Sequence, residues 1–357
     1  MNTVKQNGIA CIVGLSGGID SAVSAYMLKE AGYRVTGVFM HNWQQDQCPD
    51  TTALSRARHV ASFLGIDFDV VDLSHIYWDK VFSVFLDQLA DGLTPNPDLL
   101  CNEHVKFRAF KDYFGDDKIF ATGHYAQMKQ IGDKTSLLRG VDPVKDQTYF
   151  LARLGQNQLH NLLFPIGHME KSQIRAFAQK RNFPNKDAPE SMGICFIEQG
   201  KLAPFLAQYM LDKPGDIIDL NGHKIGKHNG LFYYTIGQRK GLNIGGRSGF
   251  AEKPFYVLSK NMNDNTITVT QNIHDDRLLT YEVHCDHLHE IRHAIPISKM
   301  LTAKIRHQQT PQECMITHKD GNNITVRFNE AQRAVAPGQY VVFYDGSECL
   351  GSAMVSQ

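Results

Sequence analysis

The sequence lacks both an excess of charge of one sign and a long hydrophobic run. Lys and Arg number 37 and Asp and Glu also number 37, so the formal net charge at pH 7 is zero. Net charge therefore neither supports nor excludes a nucleic-acid partner. No apolar run approaches the roughly 18 residues that a membrane span requires, and the N-terminus does not have the pattern of a signal peptide. We expect a cytoplasmic protein with no membrane partner.

Paired cysteines are also missing. The seven cysteines stand singly and form no CxxC pair, which argues against a disulfide framework and against a four-thiolate zinc site. Any functional cysteine must then act as a reactive thiol. One group of histidines and a cysteine could suggest a metal site: His284, Cys285, His287, His289 and His293. Their spacing matches no recognisable zinc pattern, so we predict no permanently bound metal.

The first 125 residues alternate apolar, β-branched runs with amphipathic stretches. Strands are predicted at 9–15, 34–40, 68–73 and 118–122, and helices at 21–31, 51–64 and 81–90. This alternation predicts an α/β fold with a doubly wound, mostly parallel sheet covered on both faces. Ligands bind such sheets at the carboxyl ends of the strands. Residues 14–21, Met40 and Gly123 should therefore lie along one edge.

The composition and the apolar pattern of the chain change near residue 200. Residues 200–277 are crowded with glycine, turn dipeptides and short apolar runs, which predicts a small β-rich central domain. Residues 278–357 contain short apolar runs separated by turn signals, which predicts a C-terminal β-barrel. With residues 1–199 as the first domain, the length of 357 residues fits three domains.

A glycine-rich loop follows the first predicted strand and opens a helix; it reads Gly14, Leu15, Ser16, Gly17, Gly18, Ile19, Asp20 and Ser21. One interpretation is an ordinary strand-to-helix turn. The other is a phosphate site, because the glycines allow close approach, the amides at a helix N-terminus bind anions, and Asp20 could hold Mg²⁺. The familiar GxxxxGK[ST] pattern is absent, so no P-loop lysine is available here.

The loop instead resembles the SGGxDS signature of the PP-loop ATP-pyrophosphatase superfamily, whose fold is that of the adenine nucleotide alpha hydrolases. The resemblance implies that ATP, accompanied by Mg²⁺, is cleaved between its α and β phosphates. A substrate oxygen is then adenylated and becomes a good leaving group for a nucleophile.

Cys101 and Cys195 lie in different sequence contexts. Cys101 follows two prolines at the predicted start of a helix, where the helix N-terminus and Lys106 would stabilise a thiolate. The alternative is a cysteine that merely packs, preceded by a turn in which Asp98 caps the helix. Cys195 lies in an apolar run, GICFI, which is typical of a buried strand, but the polar segment before it indicates a loop.

The whole chain resembles the bacterial tRNA-specific 2-thiouridylases of the MnmA type. The resemblance is carried by GLSGGIDS, NPDLLCN, ATGHYA, KDQTYF, GICFI, TIGQRKGLNIGG and QRAVAPGQY. It implies a tRNA-uridine 2-sulfurtransferase that converts the wobble uridine to 2-thiouridine, with tRNA and a protein sulfur donor as partners. Cys101 would be the nucleophile and Cys195 the persulfide carrier, and the two could form a transient disulfide. Residues 14–21, Met40 and Gly123 would bind ATP.

The same resemblance implies contacts with RNA. Asn96, Pro97 and Asp98 would contact the target base, and further tRNA contacts would come from His124, Lys145, Asp146, Gln147, Arg306, His307 and Gln339. Each of the latter has the alternative of an ordinary surface or turn residue. His307 departs from the aromatic residue usual in the family, although imidazole can still stack on a base.

Two other functions fit the same loop. A PP-loop enzyme could adenylate a different acceptor, either a small molecule or another RNA, and would then not need Cys195. An RNA-binding protein could use its nucleotide site as a switch and would release no pyrophosphate.

Overall fold

The computed structural model describes residues 8–43, 50–115, 117–189, 202–244 and 253–356. Its first sheet is parallel, with the strand order β3-β2-β1-β4-β7. The strands are β1 (Ala10–Gly14), β2 (Arg34–His41), β3 (Asp67–Asp72), β4 (Ile119–Ala121) and β7 (Leu162–Leu163). The predicted α/β class with a parallel sheet is confirmed, and each of the four predicted strands matches an observed one within two residues.

Helices cover both faces of this sheet. Because side chains alternate along a strand, Cys11 and Val13 of β1 pack in one apolar cluster while Ile12 packs in another. The helices of this part of the chain are α1 (Ile19–Glu30), α2 (Asp50–Leu64), α3 (Ser74–Tyr77), α4 (Ser83–Ala90), α5 (Pro97–Leu100), α6 (Phe110–Phe114), α7 (Thr148–Leu151), α8 (Gln156–Leu159) and α9 (Lys171–Lys180). Both faces of the sheet are thus buried, as in a doubly wound fold.

Two helices are longer than the sequence predicts. Residues 74–90 are helical throughout, because the π-helical segment Trp78–Phe82 joins α3 to α4. The sequence predicted a helix only over residues 81–90, because Trp78, Asp79 and Lys80 are all exposed and interrupt the helical repeat of apolar residues. Likewise the π-helical segment Cys101–Ala109 joins α5 to α6, so that one helix runs through residues 97–114.

The central β-rich module begins after α10 (Leu202–Leu206). Its sheet has the order β10-β11-β8-β9, formed by β8 (Gly215–Ile218), β9 (Lys224–His228), β10 (Tyr256–Asn261) and β11 (Thr266–Thr270). Short 3-10 turns lie at Leu231–Tyr233 and Asp276–Leu278. Ile217, Val257 and Ile267 are fully buried in the core of this module.

The C-terminal part is a closed antiparallel barrel, as predicted. Its order is β12-β15-β14-β13-β16-β17, and β12 pairs with β17 to close it. The strands are β12 (Leu279–Glu290), β13 (Leu301–Lys304), β14 (Gln312–Asp320), β15 (Asn323–Arg333), β16 (Tyr340–Asp345) and β17 (Glu348–Val355). Ile316, Val326 and Phe343 fill its interior.

A hairpin from the first half of the chain extends the sheet of the barrel. β5 (Ala126–Ile131) pairs with β6 (Lys134–Arg139), and β6 pairs with β17. The N-terminal part and the barrel therefore share one continuous hydrogen-bonded sheet. The domain ranges 1–199, 200–277 and 278–357 stay a prediction.

Candidate active site

The glycine-rich loop joins the end of β1 to the start of α1. Gly17 has a φ of +79°, and a Cβ placed there would lie 2.5 Å from the Ala53 carbonyl oxygen, so a side chain does not fit. Ser21 Oγ accepts a hydrogen bond from the Ser16 amide (3.2 Å) and donates one to the Gly18 carbonyl (3.0 Å). A 12-residue helix begins directly after Gly18. The loop thus presents a helix N-terminus, with hydroxyl groups beside it, to an anion.

The structure brings the other residues predicted to bind ATP to this loop. A Cβ on Gly14 would lie 3.1 Å from the Met40 Cε atom, and a Cβ on Gly123 would lie 2.6 Å from the Ser21 amide nitrogen. Gly123 therefore lets the chain after β4 pass against the first turn of α1. All three positions lie at the carboxyl edge of the parallel sheet, where such folds bind ligands.

Asp20 is held by two residues that sequence reasoning missed. Lys171 Nζ lies 2.7 Å from both carboxylate oxygens of Asp20, and Tyr125 Oη donates to Oδ1 at 2.7 Å. Lys171 is buried although it is the first residue of α9, a helix that otherwise exposes its charged side chains. The sequence around Lys171 carries no signal for this contact, because the two residues are 151 positions apart.

Asn185 is a third residue that the sequence did not single out. It is 3% exposed, and its Nδ2 donates to the Gly17 carbonyl at 3.0 Å. Its Oδ1 is buried without a hydrogen-bond partner among the residues that the structure describes. An unpaired buried acceptor is costly, so this oxygen is available to a donor group at the loop.

Cys101 lies in the second turn of a helix and not at its start. The helix begins at Pro97, and Asn96 is its N-cap, with Oδ1 accepting from the Asp98 amide at 3.3 Å. Asn96 thus occupies the capping position that the alternative interpretation gave to Asp98, which lies inside the first turn. The Cys101 side chain is only 1% exposed and forms no disulfide among the described cysteines. Helix-dipole stabilisation falls off within the first turn, so it acts weakly on this thiol.

The helix of Cys101 contacts the nucleotide-loop edge through His124. The His124 ring packs 5.4 Å from the Phe107 ring on that helix, and its Nδ1 lies 2.8 Å from Thr122 Oγ1. Burial, with a smaller contribution from the Lys106 charge, lowers the pKa of His124 to about 3. His124 is therefore a neutral imidazole between the thiol-bearing helix and the edge of the sheet.

Asn102, next to Cys101, ties this helix to the following part of the chain. It is 2% exposed and donates from Nδ2 to the Phe150 carbonyl at 2.9 Å. Glu103 pairs with Arg153 at 2.5 Å, and this ion pair raises the pKa of the guanidinium against the effect of burial. The backbone around Cys101 is therefore fixed by buried polar contacts. Cys195 lies outside the described residues.

The residues predicted to contact tRNA differ in their burial and in their hydrogen-bond partners. Asp146 is buried and pairs with Arg139 at 2.8 Å, while its other oxygen accepts from Thr148 Oγ1 at 2.8 Å. Gln147 uses Oε1 to accept from the Tyr125 amide at 2.9 Å. These contacts order the chain around Lys145, whose side chain is partly exposed.

The three C-terminal contact residues gather near the helix of Cys101. Arg306 donates to the Ala334 carbonyl at 2.6 Å, and Gln339 Nε2 donates to the Thr94 carbonyl at 2.7 Å. The His307 ring lies 4.5 Å from the Phe150 ring, and its Nε2 lies 3.0 Å from the Asp146 carbonyl oxygen. Burial lowers the pKa of His307. One face of this imidazole is thus already covered by Phe150.

Two kinds of feature are absent from the residues that the structure describes. No group of three or more His, Cys, Asp or Glu side chains there is arranged to hold a metal ion. No helix in the same part of the chain is long and apolar enough to cross a membrane.

Three family models match consecutive parts of the chain. They are described as the tRNA methyl transferase HUP domain over residues 9–199, the tRNA methyl transferase PRC-barrel domain over residues 203–271, and the Aminomethyltransferase beta-barrel domain over residues 283–355. The first alone spans more than half of the chain.

Curated relatives match over nearly their whole length. A tRNA-specific 2-thiouridylase MnmA of Proteus mirabilis is 43% identical over 352 residues, 96% of each chain. Proteins of the same name are 43% identical in Coxiella burnetii, covering 100% of both chains, and 42% identical in Listeria innocua, covering 99% of this chain and 96% of that one. With identity above 40% along its full length, this chain belongs to the family of the tRNA-specific 2-thiouridylases.

Proposed function

We propose that this chain is an ATP-dependent tRNA sulfurtransferase that replaces the C2 oxygen of the wobble uridine by sulfur. The proposal depends mainly on one contact: His124, next to Gly123, packs on Phe107 of the helix that carries Cys101. This contact connects an anion-binding loop with a helix bearing a buried thiol. The names of the full-length relatives point to the same reaction.

The loop residues and their neighbours would bind ATP. Gly17, Gly18 and the first amides of α1 would accept the phosphates, with Met40 and Gly123 lining the same edge. Lys171 would supply the cation that the loop itself lacks. Asp20 fits Mg²⁺ as a hard oxygen ligand once Lys171 turns from the carboxylate to the phosphates. Mg²⁺ would then neutralise phosphate charge.

The first chemical step would activate the uridine. Its O2 attacks the α-phosphorus of ATP, the bond to the β-phosphate breaks, and pyrophosphate leaves. Asn96, Pro97 and Asp98 would hold the target base at the start of the helix of Cys101. Adenylation converts O2 into a leaving group.

The second step would exchange oxygen for sulfur. The terminal sulfur of a persulfide on Cys195 attacks C2, and AMP leaves with the former O2. The Cys101 thiolate then attacks the sulfur of Cys195, which releases 2-thiouridine and leaves a Cys101–Cys195 disulfide. An external thiol must reduce this disulfide, and a protein sulfur donor must renew the persulfide, before the next turnover.

The remaining assignments concern the tRNA contacts, the roles of the three domains and the location in the cell. Lys145, Arg306 and Gln339 would contact the RNA, while Asp146, Gln147 and His307 would hold the backbone that presents them. Residues 1–199 would form the catalytic domain, residues 200–277 a tRNA-contacting domain, and residues 278–357 the barrel domain. We place the activity in the cytoplasm, together with its tRNA substrate.

The test is nucleoside mass spectrometry on unmodified tRNA with a wobble uridine, incubated with the protein, Mg-ATP and a persulfide donor. Cys101→Ser and Cys195→Ser should each abolish 2-thiouridine formation. Cys314→Ala, a matched change of a thiol buried in the barrel, should leave it intact.

Two results would contradict the proposal. Cleavage of ATP without sulfur entering tRNA would favour a different acceptor. Addition of a methyl group to the tRNA, in a parallel reaction supplied with a methyl donor, would instead support the activity that the family-model descriptions name.

A further inference from the structure

Arg56 lies on α2, one helical turn beyond the residue that touches the glycine-rich loop. A Cβ placed on Gly17 would lie 2.5 Å from the Ala53 carbonyl oxygen, so the first turn of α2 packs against the loop. Residues three apart on a helix are neighbours, with about 5–6 Å between their Cβ atoms. Helical side chains also lean toward the N-terminus of their own helix. The Arg56 side chain therefore extends back toward the loop.

The same residue lies on the side of α2 that faces α1. Phe63 follows Arg56 by two turns and shares that side of the helix. The Phe63 ring lies 5.3 Å from the Phe183 ring, and the Phe183 ring lies 5.9 Å from the Tyr26 ring of α1. Arg56 thus lies beside the groove between the two helices, at the end nearer to their N-termini. The anion-binding amides of α1 are at that end.

The Arg56 guanidinium has no counter-charge in the part of the chain that the structure describes. None of the described residues forms a hydrogen bond or an ion pair with it. Its Nε is buried without a partner, but its two terminal nitrogens are not buried, and the residue is partly exposed. These two nitrogens form the fork with which arginine binds phosphate oxygens in pairs. The fork is therefore open to an anion.

The ion pair beside the loop leaves a need for this charge. Lys171 and Asp20 lie 2.7 Å apart, so their charges offset each other before a nucleotide binds. The β- and γ-phosphates carry most of the negative charge of ATP, and a further cation nearby favours their binding. Arg56 supplies such a cation on the α2 side of the loop.

The topology of the sheet places α2 on the side toward which a leaving group would depart. β1 stands between β2 and β4. His124 follows β4 and packs on the helix of Cys101, so the proposed position of the target uridine is on the β4 side. α2 follows β2, on the other side of β1. The attacking and the leaving oxygen at phosphorus stand roughly in line. Pyrophosphate would therefore leave toward α2.

We propose that Arg56 binds the β- and γ-phosphates of ATP and then the pyrophosphate that leaves. This inference rests on the proposed function and adds a second cation to the loop. As uridine O2 bonds to the α-phosphorus, the bond from that phosphorus to the bridging oxygen breaks, and the bridging oxygen keeps the electron pair. Pyrophosphate thereby gains one negative charge beside the Arg56 fork. The guanidinium stabilises this charge as it forms.

The first experiment measures nucleotide binding by calorimetric titration with Mg²⁺ present, without RNA or sulfur donor. The ligands are α,β-methylene-ATP, which cannot release pyrophosphate, and AMP, which lacks both outer phosphates. Arg56→Gln should raise the Kd for the ATP analogue roughly ten-fold, because it removes charged hydrogen bonds to phosphate. It should leave the Kd for AMP unchanged, which also shows that the variant is folded.

Arg58→Gln is the matched control for this titration. Arg58 is an exposed arginine two residues further along α2. Its guanidinium lies over the ring of Phe68 on the edge strand β3, 5.3 Å from the ring centre. The Arg58 side chain therefore extends away from α1, and its replacement should change neither Kd.

The second experiment determines whether Arg56 acts on the phosphates or on RNA. Inorganic pyrophosphate should compete with α,β-methylene-ATP, and Arg56→Gln should raise its Ki roughly ten-fold. Binding of an anticodon stem-loop RNA, followed by fluorescence anisotropy, should be equal for Arg56→Gln and the unaltered chain. A loss of stem-loop affinity with an unchanged Ki for pyrophosphate would assign Arg56 to RNA and overturn the inference.

The outcomes separate the inference from the proposed function. If Arg56→Gln binds the ATP analogue as tightly as the unaltered chain does, the role of Arg56 is wrong while the ATP site stands. If the variant loses affinity equally for the analogue and for AMP, Arg56 supports the loop and not the outer phosphates, and the inference is again wrong. If the unaltered chain binds neither nucleotide, the proposed function is contradicted and the inference falls with it.

Discussion

Lys171 and Asp20 lie 151 positions apart in the sequence, yet the Lys171 ammonium group stands 2.7 Å from both oxygens of the Asp20 carboxylate. This ion pair joins the first residue of α9 to the first turn of α1, at the loop proposed to bind ATP. The SGGxDS loop lacks a lysine of its own. The fold supplies the positive charge from a distant helix.

Replacing Lys171 by Gln should lower pyrophosphate release from ATP by about 100-fold, because a cation that stabilises charge in a transition state contributes on that scale. The rate is measured with saturating tRNA and Mg-ATP. Lys180→Gln, at the exposed end of the same helix, is the control and should retain the unaltered rate. An unchanged rate in Lys171→Gln would remove Lys171 from the proposed site.

Tyr125→Phe tests a weaker contact with the same carboxylate. The variant keeps the buried ring and loses the hydrogen bond from Tyr125 Oη to Asp20. We expect a rise of roughly three- to ten-fold in the Kd for Mg-ATP, since one hydrogen bond to a charged group contributes about 1 kcal/mol or more. Calorimetric titration gives the Kd, and Tyr113→Phe, at an exposed tyrosine, should leave it unaltered.

The contrast between Gly17 and Lys171 shows how far the sequence predicts this site. Local requirements determine the loop: β1 ends, α1 begins, and Gly17 must adopt a positive φ, so a short motif was enough to locate it. The alternation of apolar residues likewise predicted the parallel sheet. Lys171 is different, because its burial depends on how α9 packs against α1. The sequence has no local signal for such a contact.

Asp98 and Asp146 show the same limit. The sequence left open the alternative that Asp98 caps the helix, but the cap is the residue that directly precedes the first turn, and Asn96 takes that position. Asp146 was assigned to tRNA by resemblance alone. Its carboxylate is fully buried against Arg139 and Thr148, a contact that forms only because β6 folds back beside it.

Asp146→Asn should therefore act on stability first. The change removes the negative partner of Arg139 and weakens the bonds that the carboxylate accepts from the Gly140 and Thr148 amides. Breaking a buried ion pair on one side costs about 3 kcal/mol in the free energy of unfolding. Urea denaturation measures the loss. Asp320→Asn, at the exposed end of β14, should stay within about 0.5 kcal/mol of the unaltered chain.

The lowered pKa of His124 predicts how stability depends on pH. Its pKa is about 3 in the folded chain and about 6.5 when unfolded, so between these values the unfolded state binds one more proton. Stability is then fully present above pH 6.5 and is lost as the pH falls, by at most about 1.4 kcal/mol per pH unit for this group.

His124→Asn removes this group, so its free energy of unfolding should fall less steeply between pH 6.5 and 4.5 than that of the unaltered chain. Four other histidines whose pKa is lowered remain in both proteins, so the difference between the two curves isolates His124. Urea denaturation at several pH values gives both curves. His293→Asn, at an exposed position, should run parallel to the unaltered chain. If the His124→Asn curve also runs parallel, His124 binds the same number of protons in the folded and unfolded chains, and its role as a neutral contact between the thiol-bearing helix and the sheet edge is contradicted.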